Sequence, residues 1–469
     1  MREGGAARRI SPGALMNECP EVVGMMSAAI EGGGSLDAAV REVAAGGPER
    51  SSAIFREAVF MADARVAGDV KSAMGEALSK VPESAAPFKR ALRMVFAASE
   101  SPSRSEKKRM LDGASEIALG GLRDLGEAYG SSLNAPCMAV FGLGIMVPMV
   151  LMSILPMLSM GGVFGPSPVD SGAVAVLTIA VIPCAILSLS LSIRSRNPFA
   201  PPAGGRAGLA GLALLSAAPL SAILWAATGD AASSVMAASA AAGILTFALM
   251  AGGARRERAR AARESMLRES VFDLGGRLIA GENFEAAARG AVGERRGCAR
   301  VAESLSRELH LCRGDVRGAL ERALGPISGQ MAGVFCRIQR SSEKDSRDAG
   351  RLAVSIGRQL QDQDSVRKAI NNRLKSMTDM MTGTAAVFAP LVLGLSVSML
   401  APVSRAMGGA GFGGASAVLS VYLAELCVLM ALLTSHLGGG SGAREAAFRA
   451  SAMLPVSMAV FFACSRLSL

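Results

Sequence analysis

The sequence is poor in charged, aromatic and histidine residues. Only 19% of its 469 residues are charged and 4% are aromatic, and there are two histidines. These numbers exclude enzymes that need several histidines and nucleic-acid binders that stack bases on aromatic rings. Hydrophobic residues make up 51% of the chain and the mean hydropathy is +0.37, which is too apolar for a set of soluble domains. The composition therefore predicts a helical membrane protein with no nucleic-acid partner.

Cysteine pairs at metal-binding or redox spacing are also lacking. The eight cysteines lie either in apolar runs or in charged segments, and none forms a C-x-x-C pair. We therefore expect all eight to be reduced thiols. His310 and Cys312 could in principle bind a metal together with Cys298, but a short helical surface accounts for them more simply. The sequence thus predicts neither a metal site nor a cofactor.

Seven nearly uncharged runs are long enough to cross a membrane, at about 1.5 Å per helical residue and about 30 Å of hydrocarbon. The seventh is the least regular because it contains Arg449. Charged, amphipathic sequence precedes the first run and separates the fourth from the fifth. The runs are residues 135–158, 172–193, 207–228, 231–252, 381–403, 414–433 and 446–464. The predicted domains are a helical domain (1–134), membrane helices 1–4 (135–253), a second helical domain (254–379) and membrane helices 5–7 (380–469).

Lysine and arginine residues lie mainly in alternate loops. Arg194, Arg196 and Arg206 lie between the second and third runs, a cluster at 255–263 follows the fourth, and Arg444 precedes the seventh. Cytoplasmic loops of membrane proteins are enriched in Lys and Arg. We therefore predict a multi-pass protein of the cell membrane, with its N-terminus and both helical domains in the cytoplasm and its C-terminus outside.

An internal repeat relates the two predicted helical domains. The pattern G-D-V-K/R-x-A-M/L-x-x-A-L occurs at 68–78 and again at 314–324. An upstream pattern, G-x-S/N-L/F-D/E-A-A, occurs at 33–39 and at 281–287. Two patterns in the same order and at similar separations indicate a duplication. Because four apolar runs separate the copies, an even number, both copies would face the same compartment.

Each copy has a physical interpretation as helix, tight turn and helix. A glycine ends one helix, Ser35 or Asn283 caps the next, and an acidic residue lies in its first turn, near the positive end of the helix dipole. Alanines four residues apart in the second pattern let two helices approach closely. Pro148 in the first apolar run and Pro390 in the fifth extend the match into the membrane. The turn residues are Gly33, Leu36, Asp37, Ala38, Gly68, Asp69 and Ala73 in the first copy, and Gly281, Phe284, Glu285, Ala286, Gly314, Asp315 and Ala319 in the second.

In these patterns the chain resembles the F-domain platform proteins of type II secretion, type IV pilus, Tad pilus and archaellum machines. Those proteins carry a G-x-S/N-L/F-x-x-A-V/A turn and a later G-x-V-x-x-A-L/M turn in each of two helical domains, and a membrane helix follows each domain. The similar regions are residues 22–158 and 271–399. The long N-terminal domain and the four runs between the copies look most like the archaeal archaellum and Tad-like branch.

The resemblance implies an all-α polytopic membrane protein with two duplicated cytoplasmic helical bundles and no catalytic activity. Such a platform would couple a cytoplasmic hexameric secretion ATPase to the movement of pilin-like subunits into or out of the membrane. A homodimer is compatible with this role. The sequence agrees that the energy comes from a partner, because it has no G-x-x-x-x-G-K-S/T phosphate loop, no H-E-x-x-H zinc motif and no nucleophile elbow.

A transporter or channel is the alternative function. Glu425 lies near the middle of the sixth run, and an acidic residue within a membrane helix often belongs to an ion pathway. Pairing with Arg449, or packing against a neighbouring helix end, is the structural interpretation of the same residue. The repeat is parallel, whereas many transporters are built from inverted repeats. A membrane sensor is less suitable because the outer loops are too short for a ligand domain.

A run of arginines after the fourth apolar run is the densest charge cluster, and two lysines accompany it in the first copy. Basic residues beside a membrane satisfy the loop-charge rule and bind anionic lipid head groups. Docking of the ATPase is the second role that we consider for them. The residues are Arg255, Arg256, Arg258, Arg260, Lys107 and Lys108.

Overall fold

The described part of the chain is entirely helical. The structure, a computed structural model, describes residues 11–151, 176–199, 231–295, 297–311, 314–406, 415–437 and 443–466. All regular elements in these ranges are helices, so the predicted all-α fold is confirmed for them. The chain divides into two compact units, of which the first comprises Met1–Glu127 and Arg255–Ile370 and the second comprises Ala128–Ala254 and Asn371–Leu469.

Short turns join most of the helices. A 3₁₀ turn at Glu83–Ala85 lies ahead of the fifth helix, and three wider, π-helical turns interrupt the apolar helices. In chain order the helices are α1 (Pro12–Glu31), α2 (Leu36–Gly46), α3 (Glu49–Asp63), α4 (Val70–Ser79), α5 (Ala86–Glu100), α6 (Arg104–Ser132), α7 (Asn134–Phe141), α8 (Ile182–Arg196), α9 (Ala231–Ile279), α10 (Phe284–Gly293), α11 (Ala299–Leu311), α12 (Val316–Leu324), α13 (Gly329–Ser342), α14 (Ser346–Gly383), α15 (Ala389–Ala406), α16 (Ala415–Leu437) and α17 (Ala443–Ser465).

The first unit contains two segments with the same order of helix lengths. In the first segment (residues 12–127) the helices α2 to α5 have 11, 15, 10 and 15 residues. In the second segment (residues 255–370) the helices α10 to α13 have 10, 13, 9 and 14 residues. A longer helix precedes and follows each set, namely α1 and α6 in the first segment and α9 and α14 in the second.

Capping side chains begin several of these helices, and the cap at Ser35 is one that the sequence predicts. Ser35 accepts a hydrogen bond from the backbone N–H of Ala38 at 3.2 Å and so begins α2. The carboxylate of Asp69 accepts from the N–H of Ser72 at 2.7 Å, and that of Asp315 accepts from the N–H of Gly318 at 2.9 Å. Asn283 occupies the N-cap position of α10 but its side chain makes no capping hydrogen bond. That part of our expectation is wrong.

Glycine supplies the left-handed backbone at three of the predicted turns. Gly33 has a φ of 80°, Gly281 of 94° and Gly314 of 101°, values that a residue without Cβ adopts without strain. Gly68 does not end α3 as we expected. The left-handed residue there is Arg65, with a φ of 56°, directly after the C-terminal residues of α3.

Each segment has its own hydrophobic core. The first is built around Phe55 and Phe88, and the second around Leu274 and Phe335, all four of which are fully buried. Ala28 of α1 packs into the second core, so the two segments share buried contacts. The repeated alanines of α4 and α12 are buried as predicted: Ala73, Ala77 and Ala319 are inaccessible and Ala323 is 6% exposed.

Within the first unit α6 and α14 run side by side in the same direction. Arg104 bonds to Asp348 at 3.3 Å, and Gln359 donates to the hydroxyl of Ser115 at 3.4 Å; both pairs are 244 residues apart in sequence. Gly126 lies against the side chain of Ile370, which is also 244 residues away in sequence. Successive contacts are eleven residues apart on both helices, which is about three helical turns. The two long helices are therefore parallel and in register.

Six of the described helices are long and apolar enough to cross a membrane. These helices are consistent with a multi-pass membrane protein, and the described parts of six of the seven predicted runs lie in them. The third run, 207–228, lies outside the described residues. In the second unit α16 packs against α8 and α17, and α17 also packs against α15. The six helices are Arg104–Leu151, Leu177–Ser195, Ala231–Ile279, Ser346–Met399, Ser416–Leu437 and Arg444–Ser465.

Candidate functional site

Three of the apolar helices contain a π-helical turn immediately before a proline. The turns are Gly142–Met146, Leu177–Val181 and Thr384–Phe388, and one residue separates each from its proline. Proline has no N–H, and its ring collides with the carbonyl four residues earlier in an α-helix. A wider turn relieves that collision. Two of these prolines, Pro148 and Pro390, are the pair that the internal repeat matches, and both are buried.

A tyrosine from α16 satisfies the carbonyl that Pro148 leaves without its usual partner. In a regular α-helix the carbonyl of Gly144 would accept a hydrogen bond from the N–H of residue 148. Here the hydroxyl of the fully buried Tyr422 donates to it. A Cβ on Gly144 would lie 3.2 Å from the side chains of Ile186 and Leu426, so a glycine fits the tight space.

The fifth apolar helix receives a weaker contact from the same helix α16. The thiol of Cys427 lies 3.9 Å from the carbonyl of Ala385, which belongs to the π turn before Pro390. The rings of Phe141 and Phe388, beside the two turns, stack with their centres 6.3 Å apart. An apolar cavity of about 20 Å³ adjoins these turns, and its lining includes Ile145, Ala385 and Leu426. Both repeated proline turns therefore contact α16.

Glu425 lies on α16 and is half-buried. Its Oε2 atom is buried and has no hydrogen-bond partner among the described residues. Arg449 instead binds Glu445, at 2.7 Å, and the carbonyl of Thr434, at 3.3 Å. The pairing of Glu425 with Arg449 that we considered is therefore wrong. Polar groups within a membrane helix are expensive unless they are paired or functional, so Glu425 remains a candidate functional residue.

A second polar site lies in the first unit, where α1 meets α13 and α14. Gln363 of α14 donates to the carbonyl of Pro20 in α1 at 2.9 Å, and Arg337 of α13 binds Glu42 at 3.4 Å. A cavity of about 30 Å³ lies there, lined in part by Glu21, Gln359 and Arg337. Such a volume can hold a water molecule.

Glu21 is the buried acid of this site. Burial raises the pKa of its carboxyl, although Arg367 opposes the shift and Arg337 and Arg268 do so more weakly. Arg268 is itself engaged with Asp364 and Glu264, and its Nε atom is buried without a partner in the described ranges. The repeat patterns gave no indication of this site. The available signal was the acid Glu21 between the apolar residues Pro20 and Val22.

The predicted turn residues shape helices and do not converge on one site. Leu36 and Phe284 begin α2 and α10, and Asp37 and Glu285 lie in the first turns of those helices. Ala38 and Ala286 face the surface, whereas the alanines that follow them are buried. Asp37 and Asp63 bind Arg41 on the surface, at 3.1 and 2.6 Å.

The basic residues of the predicted contact surface are mostly exposed. Arg255, Arg256, Arg258 and Arg260 are exposed on α9, Lys108 is exposed on α6, and Lys107 is half-buried. Arg260 donates to the carbonyl of Ile327 at 2.9 Å, so one member of the run has a structural role within the second segment.

The cysteines of the described ranges form no disulfide. Burial raises the pKa of the Cys19 thiol to about 12 and also raises the pKa of Cys298. A raised thiol pKa disfavours the reactive thiolate. Cys312, which we considered as a metal ligand, lies outside the described residues.

Comparison of the chain with protein families, characterised proteins and solved structures finds no match. We therefore infer the function from the residues and contacts of this chain.

Proposed function

We propose that this protein is a non-catalytic membrane platform of a type IV pilus-like or type II secretion-like machine. It would couple a cytoplasmic hexameric ATPase to the assembly of pilin-like subunits. The observation that carries the proposal is the parallel, in-register packing of α6 and α14, the last helices of two segments with the same helix order. This arrangement supports a duplicated domain, and the repeated sequence patterns lie at the same turns.

The duplication continues into the apolar helices. Ser346–Met399 is helical without a break, and Arg104–Leu151 is helical except for a turn at Leu133. Each of these stretches contains one of the matched π turns and its proline. A helix is stiff over many turns, so a displacement applied to a cytoplasmic segment would reach an apolar helix directly. A platform that transmits work from an ATPase needs such a connection.

We place both segments and the N-terminus in the cytoplasm, and the C-terminus outside. The arginine-rich loops support this orientation. Contacts in the second unit also agree with the alternation of the spans, because loop ends assigned to the same side lie together. Asn197, after the second run, donates to the carbonyl of His436, after the sixth, at 2.5 Å. Phe199 packs on Tyr129, ahead of the first run, with ring centres 5.9 Å apart.

The ATPase is the partner that tests the proposal most directly. We expect the full-length protein to co-purify with a hexameric ATPase that carries a phosphate loop and is encoded beside it. Deleting the platform should abolish filament assembly or secretion and leave the ATP hydrolysis of the isolated ATPase intact. Normal filament assembly or secretion in the deletion strain, with no co-purifying ATPase, would contradict the proposal.

The exposed arginines Arg255 and Arg256 offer a finer test of where the ATPase or anionic lipid binds. Replacing both with Glu should weaken co-purification if they dock the ATPase. If they bind lipid, the variant should instead float less with vesicles that contain phosphatidylglycerol. Each lost arginine should remove about 1 kcal/mol of binding free energy. Lys108→Glu is the matched control in the first segment. An unchanged result in both assays would remove the cluster from the binding surface.

A transporter or channel is the second candidate, because Glu425 has a buried oxygen within an apolar helix that finds no partner among the described residues. Ion flux into vesicles that contain the purified protein, lost in Glu425→Gln, would favour it over the platform.

A further inference from the structure

The hydrogen bond between Tyr422 and Gly144 joins α16 to the first apolar helix at a carbonyl whose partner in a regular helix would be the missing N–H of Pro148. Pro148 supplies no N–H, and the turn Gly142–Met146 is widened as a consequence. Water is absent from the hydrocarbon region, so a carbonyl there depends on another protein group. The hydroxyl of Tyr422 is that group.

The matched turn in the fifth apolar helix is held less firmly. Its contact from α16 is the thiol of Cys427, at 3.9 Å from the carbonyl of Ala385. A thiol is a weaker hydrogen-bond donor than a hydroxyl. The position equivalent to Gly144, four residues before Pro390, is Ala386, and the thiol contacts the carbonyl of its neighbour Ala385. The same helix thus contacts the two matched turns with donors of unequal strength.

We propose that Tyr422 is a lock on the first proline turn, and that the fifth-helix turn, which α16 contacts through the weaker donor Cys427, is the more compliant of the pair. The lock fixes the geometry of the π turn, because the carbonyl of Gly144 cannot leave the hydroxyl without losing its donor. The two apolar helices that follow the repeated segments then deform by different amounts at their proline turns when they are displaced. This inference stands on the contacts within the second unit and does not rest on the platform function.

Tyr422→Phe tests the lock, because it removes the hydroxyl and keeps the ring. The measurement is hydrogen–deuterium exchange of the full-length protein in lipid nanodiscs, followed by mass spectrometry. Peptides that cover residues 142–151 should exchange about tenfold faster in the variant, as expected for the loss of a buried hydrogen bond. The chain contains a matched control, since its only other tyrosine, Tyr129, has a buried hydroxyl with no partner in the described ranges. Tyr129→Phe should leave the same peptides unchanged.

Pro148→Ala separates the lock from general packing. An alanine at 148 supplies an N–H to the carbonyl of Gly144, so Tyr422→Phe should have little further effect in that background. An equal acceleration in both backgrounds would show that the ring environment, not the freed carbonyl, is responsible, and would overturn the proposal. No acceleration in the wild-type background would also overturn it.

Cys427→Ala tests the inequality of the two turns. Peptides that cover 384–394 should change by no more than about twofold, because the thiol contributes a weak bond. A larger effect from Cys427→Ala than from Tyr422→Phe would reverse the assignment of the locked and the compliant turn.

Discussion

The first and second segments of the first unit have helices of similar length in the same order, but they make their turns with different residues. The first segment caps α2 with Ser35, whereas Asn283 of the second makes no capping bond. After the third helix the first segment uses Arg65 in a left-handed conformation, and the second uses Gly314. The left-handed glycines Gly33 and Gly281 and the aspartate caps of α4 and α12 are the same in both segments. Helix order is therefore maintained although individual turn residues have been exchanged.

The difference teaches which features the shared order of helices requires. Buried alanines in α4 and α12 are present in both segments, since a larger side chain there would separate the helices. A turn residue, in contrast, contributes about 1 kcal/mol to the free energy of unfolding. It can be replaced if another contact compensates. The comparison predicts that substitutions at helix crossings will have large effects and substitutions at turns will have small ones.

The crossing of α9 and α14 provides the largest expected effect. A Cβ on Gly275 would lie 2.9 Å from the carbonyl oxygen of Gly350, and a Cβ on Gly350 would lie 2.8 Å from that of Gly275. Gly275→Ala should therefore reduce the free energy of unfolding by about 2–3 kcal/mol. In a unit of this size that lowers the unfolding temperature of the purified protein by roughly 5–10 °C.

The neighbouring glycine is a control for helix propensity. A Cβ on Gly276 would meet no atom within 4 Å. Gly276→Ala should stabilise the protein by about 0.5–1 kcal/mol, because alanine loses less entropy in a helix. If both substitutions change the unfolding temperature in the same direction, the close crossing does not determine the stability of the second segment.

The left-handed turns provide the next largest expected effect and test the comparison at single turn residues. Gly314→Ala should destabilise the protein by about 1–2 kcal/mol, since a Cβ is strained in this conformation and no neighbouring atom is involved. Arg65→Gly should have the opposite sign and a similar size, because Arg65 already bears that strain. Thermal unfolding of the two variants checks both. Equal signs would mean that the two turns do not play equivalent roles.

Much of the local structure followed from sequence periodicity, because helices, caps and apolar runs depend on residues close together in the chain. The cap at Ser35 and the described parts of six of the seven runs could be predicted in this way. The π turns could not be placed, although the prolines that cause them were visible. A proline can be accommodated by a kink or by a wider turn, and the packing of neighbouring helices decides between them.

Contacts between residues that are distant in sequence could not be predicted. The bond from Tyr422 to Gly144 joins residues 278 apart, and that from Gln363 to Pro20 joins residues 343 apart. No local pattern encodes such a pair, since it arises only when complete helices have docked. The failed pairing of Glu425 with Arg449 has the same origin. Glu445 lies one turn from Arg449 on the same helix and forms the ion pair with it.

The smallest expected effect lies where the two segments meet, at Glu21. Burial raises the pKa of this carboxyl in the folded protein, against the opposing influence of Arg367. The folded protein then binds the proton more tightly than the unfolded chain does. The contribution of Glu21 to stability is therefore greatest at low pH and is lost as the pH rises through the folded-state pKa. Glu21→Gln should unfold at a higher temperature than the wild type at pH 7, and the difference should vanish near pH 4.

Glu18, one turn earlier on α1, supplies a control of opposite sign. Its carboxylate accepts hydrogen bonds from the N–H and the hydroxyl of Ser51, at 2.7 and 2.6 Å, and so caps α3, whose own N-cap residue, Pro48, makes no side-chain bond. Glu18→Gln should destabilise the protein by about 0.5–1 kcal/mol, because it weakens a charge-assisted cap. If Glu21→Gln also destabilises at pH 7, the arginines around Glu21 outweigh its burial, and the acid holds the two segments together instead of opposing their contact.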